Sequence, residues 1–233
     1  MPSTTSKSAF QVGFLEGLPF NLVGTPFAVL FGVVATEAGL SVAQTMGFSA
    51  LVIAGASQFT AIQLMTESAP VFMVLATALA VNLRMAMYSA SLQPHVGSAS
   101  IWQRALVAYL NVDASYALGI QKFESRADWT VAEKVAYFGG TMVLAFPLWI
   151  IGTWVGAVAG EALPENLELD FAMPIMFLAL VGPMVRTLAH LCAAITSVVG
   201  AIAFSFLPSG TGILIAALIA MAVGAEIERR RPA

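Results

Sequence analysis

The stretch that decides the fold is "PVFMVLATALAVNLRMAMYSAS", Pro70–Ser91. It is apolar nearly end to end, with Asn82 and Arg84 near its middle. About 20 such residues cross ~30 Å of hydrocarbon as one helix. A guanidinium in hydrocarbon costs between ~3 and ~10 kcal/mol. Something offsets that cost, and it bears on function.

Composition extends the reading to the whole chain. Its 233 residues are 59% hydrophobic and 10% charged, with mean hydropathy +0.86. Soluble domains carry about 25% charged residues, so this is an integral membrane protein. The net charge of -3 and the lack of a basic stripe argue against nucleic acid as a partner and leave membrane lipids. The single cysteine, Cys192, excludes an internal disulfide, and His95 and His190 lack ligand-like neighbours, so no metal and no cofactor is expected. HExxH, GxSxG, Walker and TVGYG motifs are absent. Ser57 has no histidine at matching depth to serve as base, so the chain is not expected to be an enzyme.

Eight candidate spans follow: 18–36, 43–65, 70–91, 103–121, 134–159, 169–187, 190–207 and 210–227. Gly139-Gly140 or Pro147 is expected to kink the overlong fifth. With both termini cytoplasmic, eight of the ten Lys and Arg fall inside, Arg104 falls outside and Arg84 is intramembrane. The N-terminus reads as an uncleaved cytoplasmic tail, not a signal peptide. The expected fold is an all-α bundle of about eight transmembrane helices in one domain, 1–233. A faint echo at an offset of 128 pairs Gly24-Thr25 with Gly152-Thr153, Gly32 with Gly160 and Glu37 with Glu165. It reads either as an internal repeat of the kind transporters use or as chance in a glycine-rich chain.

Polar residues gather at the centres of the first four spans: Asn21, Gly24, Thr25 and Pro26; Gly55, Ser57 and Gln58; Asn82 and Arg84; Asn111 and Asp113. Gly24 and Pro26 are expected to break the first helix, since proline removes a backbone donor and clashes with the preceding turn. A broken half-helix offers its positive end to a carboxylate and its negative end to a cation. The same glycines also suit close helix packing. Tyr109, Asp113 and Tyr116 share one face of a continuous fourth helix and read as a proton or ammonium site. A structural ion pair between Asp113 and Arg84 is the alternative. Asn82 and Arg84 lie about 200° apart on a straight helix. Arg84 is therefore placed in the cavity and Asn82 on a helix or subunit contact. Tyr88 lies one turn after Arg84.

"GLPFNLVGTPFAVLFGVVATEAGLS", then "AGASQF", then "NLRMAMYSASL" resembles the N-terminal half of the AzlC family, the large inner-membrane subunits of branched-chain amino acid exporters. The resemblance extends through "NVDASY" and "FGGTMVLAFPLWIIGTWVGA" to about Pro183. It implies a multi-pass protein of the bacterial inner membrane that moves branched-chain amino acids outward against protons, completed by a small AzlD-like membrane subunit. Arg84, Thr25, Gly55, Ser57, Gln58, Asn82 and Tyr88 would then line the substrate site, with Asp113, Tyr109 and Tyr116 coupling protons. Phe27, Phe59 and Met85 would meet the branched tail. In the family the acid of the fourth span is often followed by Glu, whereas here Ala114 follows Asp113. The other class left open is a non-transporting or channel-type subunit whose polar centres serve assembly.

Overall fold

The computed structural model describes residues 5–162, 185, 187–207 and 211–230. Those residues form helices: α1 Ser6–Glu37, α2 Val42–Leu51, α3 Gly55–Thr66, α4 Val71–Val96, α5 Ile101–Tyr109, α6 Asp113–Ser125, α7 Val131–Met142, α8 Ala145–Glu161, α9 Leu188–Ala203 and α10 Thr211–Arg229. Among the described residues four segments are long and apolar enough to cross a membrane: α1, α4, α7–α8 together and α10. The expected span 169–187 falls almost wholly outside the described residues. The chain divides into two compact units, Met1–Ile62 with Ala78–Ala162, and Gln63–Thr77 with Leu163–Ala233. In the second unit α9 and α10 form an antiparallel pair, with Gly200 against Ala216 and Gly212 against Phe204. All site residues named above lie in the first unit.

Its frame is α1 laid against α7–α8 in parallel. Contacts climb together: Gly13 on Tyr137, Gly17 on Thr141, Thr25 on Gly152, Val29 on Gly156, and Val33 and Thr36 on Gly160. A Cβ on Gly156 would sit 1.8 Å from the Val29 carbonyl oxygen, so only glycine lets the backbones approach this closely. Of the echo at offset 128, Thr25, Gly32, Gly152, Thr153 and Gly160 lie in this one parallel helix contact, while Gly24 does not and Glu165 lies outside the described residues.

The expected break at Gly24 and Pro26 is not there, since α1 runs unbroken from Ser6 to Glu37 through Pro19 and Pro26. Close backbone contacts on both sides of Pro26 hold the helix across it, and membrane helices tolerate proline where neighbours support them. A Cβ on Gly24 would meet nothing within 4 Å, so this glycine serves neither break nor packing. The overlong fifth span does divide, at Val143–Leu144. Pro147 cannot donate to the carbonyl of Val143, four residues back, and so stands in the first turn of a new helix.

The second and fourth spans are not spans. Each consists of two half-helices of 9 to 13 residues, about 14 to 20 Å long, around a non-helical tip. The tips are Val52–Ala54 and Leu110–Val112. Contacts show that each pair folds back. Going down α2, Phe48 meets Phe31 and Ser49 meets Thr153. Going on into α3, Gly55 lies on Phe27 and Phe59 on both Phe27 and Phe31, so α3 climbs alongside α1.

The α5–α6 hairpin is the mirror case. Tyr109, at the end of α5, reaches Phe146, whereas Lys122, near the end of α6, reaches Glu16. α4 runs parallel to α6, with Arg84 on Asp113, Ser91 on Tyr116 and His95 on Phe123. The C-terminal end of α4 therefore lies at the same end as the start of α1 and of α7, where His95 also meets Lys134 at 3.5 Å. One hairpin enters from the end of α1 and the other from its start.

This moves Arg104. In this unit Lys7, Arg104, Lys122, Arg126 and Lys134 all lie toward one end, hereafter the lysine end. A core of Leu92, Val96, Phe123, Trp129, Tyr137 and Phe138 fills it. Glu16 of α1 accepts from Lys122 at 2.6 Å and from the Tyr137 hydroxyl at 2.5 Å, tying α1, α6 and α7 together there.

Candidate functional site

Backbone leaves the helix at membrane depth only when its polar groups find partners inside the protein. Each tip meets this with a buried serine. Ser57 is 1% exposed and donates to the Ala54 carbonyl at 2.9 Å. Ser115, also 1% exposed, accepts from the Val112 N–H at 2.9 Å and has the carbonyls of Leu110 and Val112 at 2.8 and 3.0 Å for its own proton. Adding 58 to residue numbers carries tip onto tip, Gly55 onto Asp113 and Ala56-Ser57 onto Ala114-Ser115. The outer half-helices begin alike, on the capping boxes Ser41–Gln44 and Ser100–Gln103, with α5 one residue shorter than α2. The two hairpins thus resemble one another in opposite orientation, at an offset other than the 128 of the expected echo.

The two tips touch. The Tyr109 hydroxyl donates to the Ala50 carbonyl, 2.5 Å away at the end of α2. The expected face of Tyr109, Asp113 and Tyr116 does not form, because the helix ends at Tyr109 and restarts at Asp113.

Beside the tips, α4 and α6 carry a polar ladder. Arg84 Nη1 lies 3.3 Å from Asp113 Oδ2, and the Tyr88 hydroxyl donates to Asp113 Oδ1 at 3.0 Å. Tyr88 and Tyr116 stack, with centroids 4.0 Å apart and planes 8° from parallel. Tyr116 donates to Ser91 at 3.2 Å, and Asn111 donates to Ser89 at 3.3 Å. The Arg84–Asp113 pair is half-open, with side chains 28% and 57% exposed. A pair that keeps this much access can open to a ligand without first unfolding its surroundings.

On α4, Arg84 meets Asp113 and Ser89 meets Asn111 within the chain. The break at Leu110–Val112 lets Asn111 and Asp113 reach the same helix. Asn82 lies across the inner half of α4 from Arg84, and its Oδ1 is buried without a partner. The same holds for Arg84 Nε, Asn111 Oδ1 and Gln58 Nε2. Thr25 lies in the α1–α8 contact, its carbonyl oxygen 3.2 Å from where a Cβ on Gly152 would sit. Met85 lies half-buried on α4. Among the described residues no group of acids, histidines and cysteines could hold a metal.

The AzlC protein family profile matches residues 19–163, more than half of the chain. The chain belongs to the AzlC family. It is 24% identical to the inner membrane protein YgaZ of Escherichia coli over 84% of this chain and 81% of that one. It is 27% identical to an uncharacterized membrane protein of Archaeoglobus fulgidus, covering 94% and 95% of the two chains. A Helicobacter pylori membrane protein shares 25% over 74% of each. No solved structure matches it. The match spans both hairpins, the polar ladder and the α1–α8 frame.

Proposed function

We propose that this AzlC chain is the large subunit of a secondary carrier that exports branched-chain and related hydrophobic amino acids in exchange for protons. In this reading it sits in a bacterial inner membrane with its lysine end in the cytoplasm, and a small AzlD-like membrane protein completes it. Family membership supports the class. The positive-inside rule supports the orientation, now with Arg104 on the same side as the other basic residues of the unit.

The observation that carries the reading is the Arg84–Asp113 pair beside two half-helix tips. Broken helices at the midplane are where secondary carriers hold substrate and coupling ion. Asp113 can hold a proton or a substrate ammonium, but not both at full strength. A carboxylate that trades one for the other couples their flows in opposite directions. Arg84 keeps the empty carboxylate compensated, and Tyr88, stacked on Tyr116, fixes its orientation. Phe27 and Phe59, packed edge to face at 4.8 Å beside Gly55, offer the branched tail an apolar wall.

Leucine counterflow in proteoliposomes, with the adjacent small membrane protein and an imposed pH gradient, tests this. Asp113→Asn is expected to abolish proton-driven movement while the protein stays folded. Normal leucine flux in that variant sinks the coupling role. Flux without any proton dependence favours a channel.

A further inference from the structure

The two hairpins match in backbone and differ in charge. α6 begins with Asp113, whose carboxylate is held by Arg84 and Tyr88. α3 begins with Gly55 in the equivalent place, and its first turn contains no acid. The start of a helix carries partial positive charge and amides that lack intrahelical acceptors. In α3 the amides of Ser57 and Gln58 turn back to the Ala54 carbonyl at 2.9 and 3.2 Å. For the amides of Gly55 and Ala56 no acceptor is found among the described residues.

A second observation points to the same place. Gln58 is 0% exposed, and its Oε1 accepts from the Ala54 N–H at 3.4 Å. That bond folds the side chain back over the first turn of α3. Its Nε2 is then a buried donor with no partner. Unmet buried donors burden an empty protein, and an arriving acceptor removes the burden. Phe27 and Trp149 lie against Gly55, 3.0 and 3.2 Å from where its Cβ would sit.

We propose that the N-terminus of α3 binds a carboxylate, through the amides of Gly55 and Ala56 and the Gln58 carboxamide. This rests on the transport reading for its ligand: the carboxylate is that of the amino acid carried, whose ammonium goes to Asp113. The substrate does for α3 what Asp113 does for α6. Arg84 then remains the counter-charge of Asp113 and does not need to release it to a substrate carboxylate.

The test uses the full chain in lipid nanodiscs, with tryptophan fluorescence as readout because Trp149 lies against Gly55. The probes are 4-methylpentanoate, which has the carboxylate alone, and 3-methylbutylamine, which has the ammonium alone. Wild-type protein is expected to bind both. Gln58→Leu should weaken 4-methylpentanoate about tenfold, and Gln58→Glu about a hundredfold through like-charge repulsion. Binding of 3-methylbutylamine should change less than about twofold in either variant, which also shows that the fold is intact. If Gln58→Glu does not fold, Gln58→Leu decides alone. Unchanged binding of 4-methylpentanoate in a folded variant, or none in wild type, overturns the site. Leucine counterflow separates the two readings. If wild type binds 4-methylpentanoate through Gln58 but moves no leucine, transport falls and the site stands. If leucine flux survives Gln58→Glu, transport stands and the site falls.

Discussion

Removing one partner of the Arg84–Asp113 pair should be worse than removing both. Asp113→Asn leaves a guanidinium whose Nε already lacks a partner. Stripping one member from a fully buried pair costs about 3–5 kcal/mol. Side chains 28% and 57% exposed reduce that to about 2–3 kcal/mol. At roughly 2–4 °C per kcal/mol for a chain of this size, the thermal midpoint should drop by about 4–12 °C. Arg84→Gln should cost about as much. The double variant should lie within about 1 kcal/mol of wild type, a coupling of roughly 3–5 kcal/mol. Thermal unfolding in nanodiscs measures all four corners. Additive single losses would refute the pair as an energetic unit.

The hairpin topology predicts that a cysteine at Ser98, in a Cys192-free background, reacts with an impermeant maleimide from the same side as one at Lys7; eight full crossings would put them on opposite sides. Gly156→Val should prevent assembly of α1 against α8, seen as loss of a folded peak on size exclusion, whereas Gly24→Ala should leave stability and flux unchanged or raise stability by up to about 1 kcal/mol. Ser57→Ala and Ser115→Ala should each cost about 1–3 kcal/mol by orphaning tip backbone groups, with faster hydrogen exchange confined to residues 52–54 or 110–112. Tyr109→Phe removes the hydrogen bond joining the tips, so it should speed exchange at both while costing only about 1 kcal/mol.

The membrane class, the α4 span, the part of α1 from about residue 18 and, as the alternative to a coupling site, the pairing of Arg84 with Asp113 were legible in the sequence, because each rests on local hydropathy or on the cost of a bare charge in hydrocarbon; the first turns of α1, from Ser6, were read as a tail because their polar residues hide a face packed on α7. The helix break was placed in the wrong span. Proline and glycine at 24–26 are the usual signals, yet the outcome there depended on whether a neighbour clamps the helix, and α7 and α8 do. The real breaks, at Val52–Ala54 and Leu110–Val112, contain neither residue. They are stabilised by serines three residues on that take the freed backbone groups. Their signal was a pairing of two segments, Ser-x-x-Gln followed by Ala-Ser, repeated 58 or 59 residues apart. The Glu16–Lys122–Tyr137 tie joins residues more than a hundred positions apart, and no single window could reveal it.

The hairpins also explain why a sound span count gave the wrong topology. Two half-helices of 9 to 13 residues and a three-residue tip have the length and hydropathy of one crossing, and a sliding window is blind to direction. Charge is not blind. Reading 43–65 and 103–121 as crossings left Arg104 as the one basic residue on the acidic side. Turning both into hairpins reverses α4, which now alternates with α1 and α7–α8, and leaves the direction of α7–α8 unchanged, since two crossings have been removed. The exception disappears, because the α4–α5 link now shares an end with Lys7, Lys122 and Lys134. A single arginine on the wrong side was thus evidence about the segment that carries it: α5 enters from the lysine end, stops at the midplane and returns as α6 with Asp113 at its head.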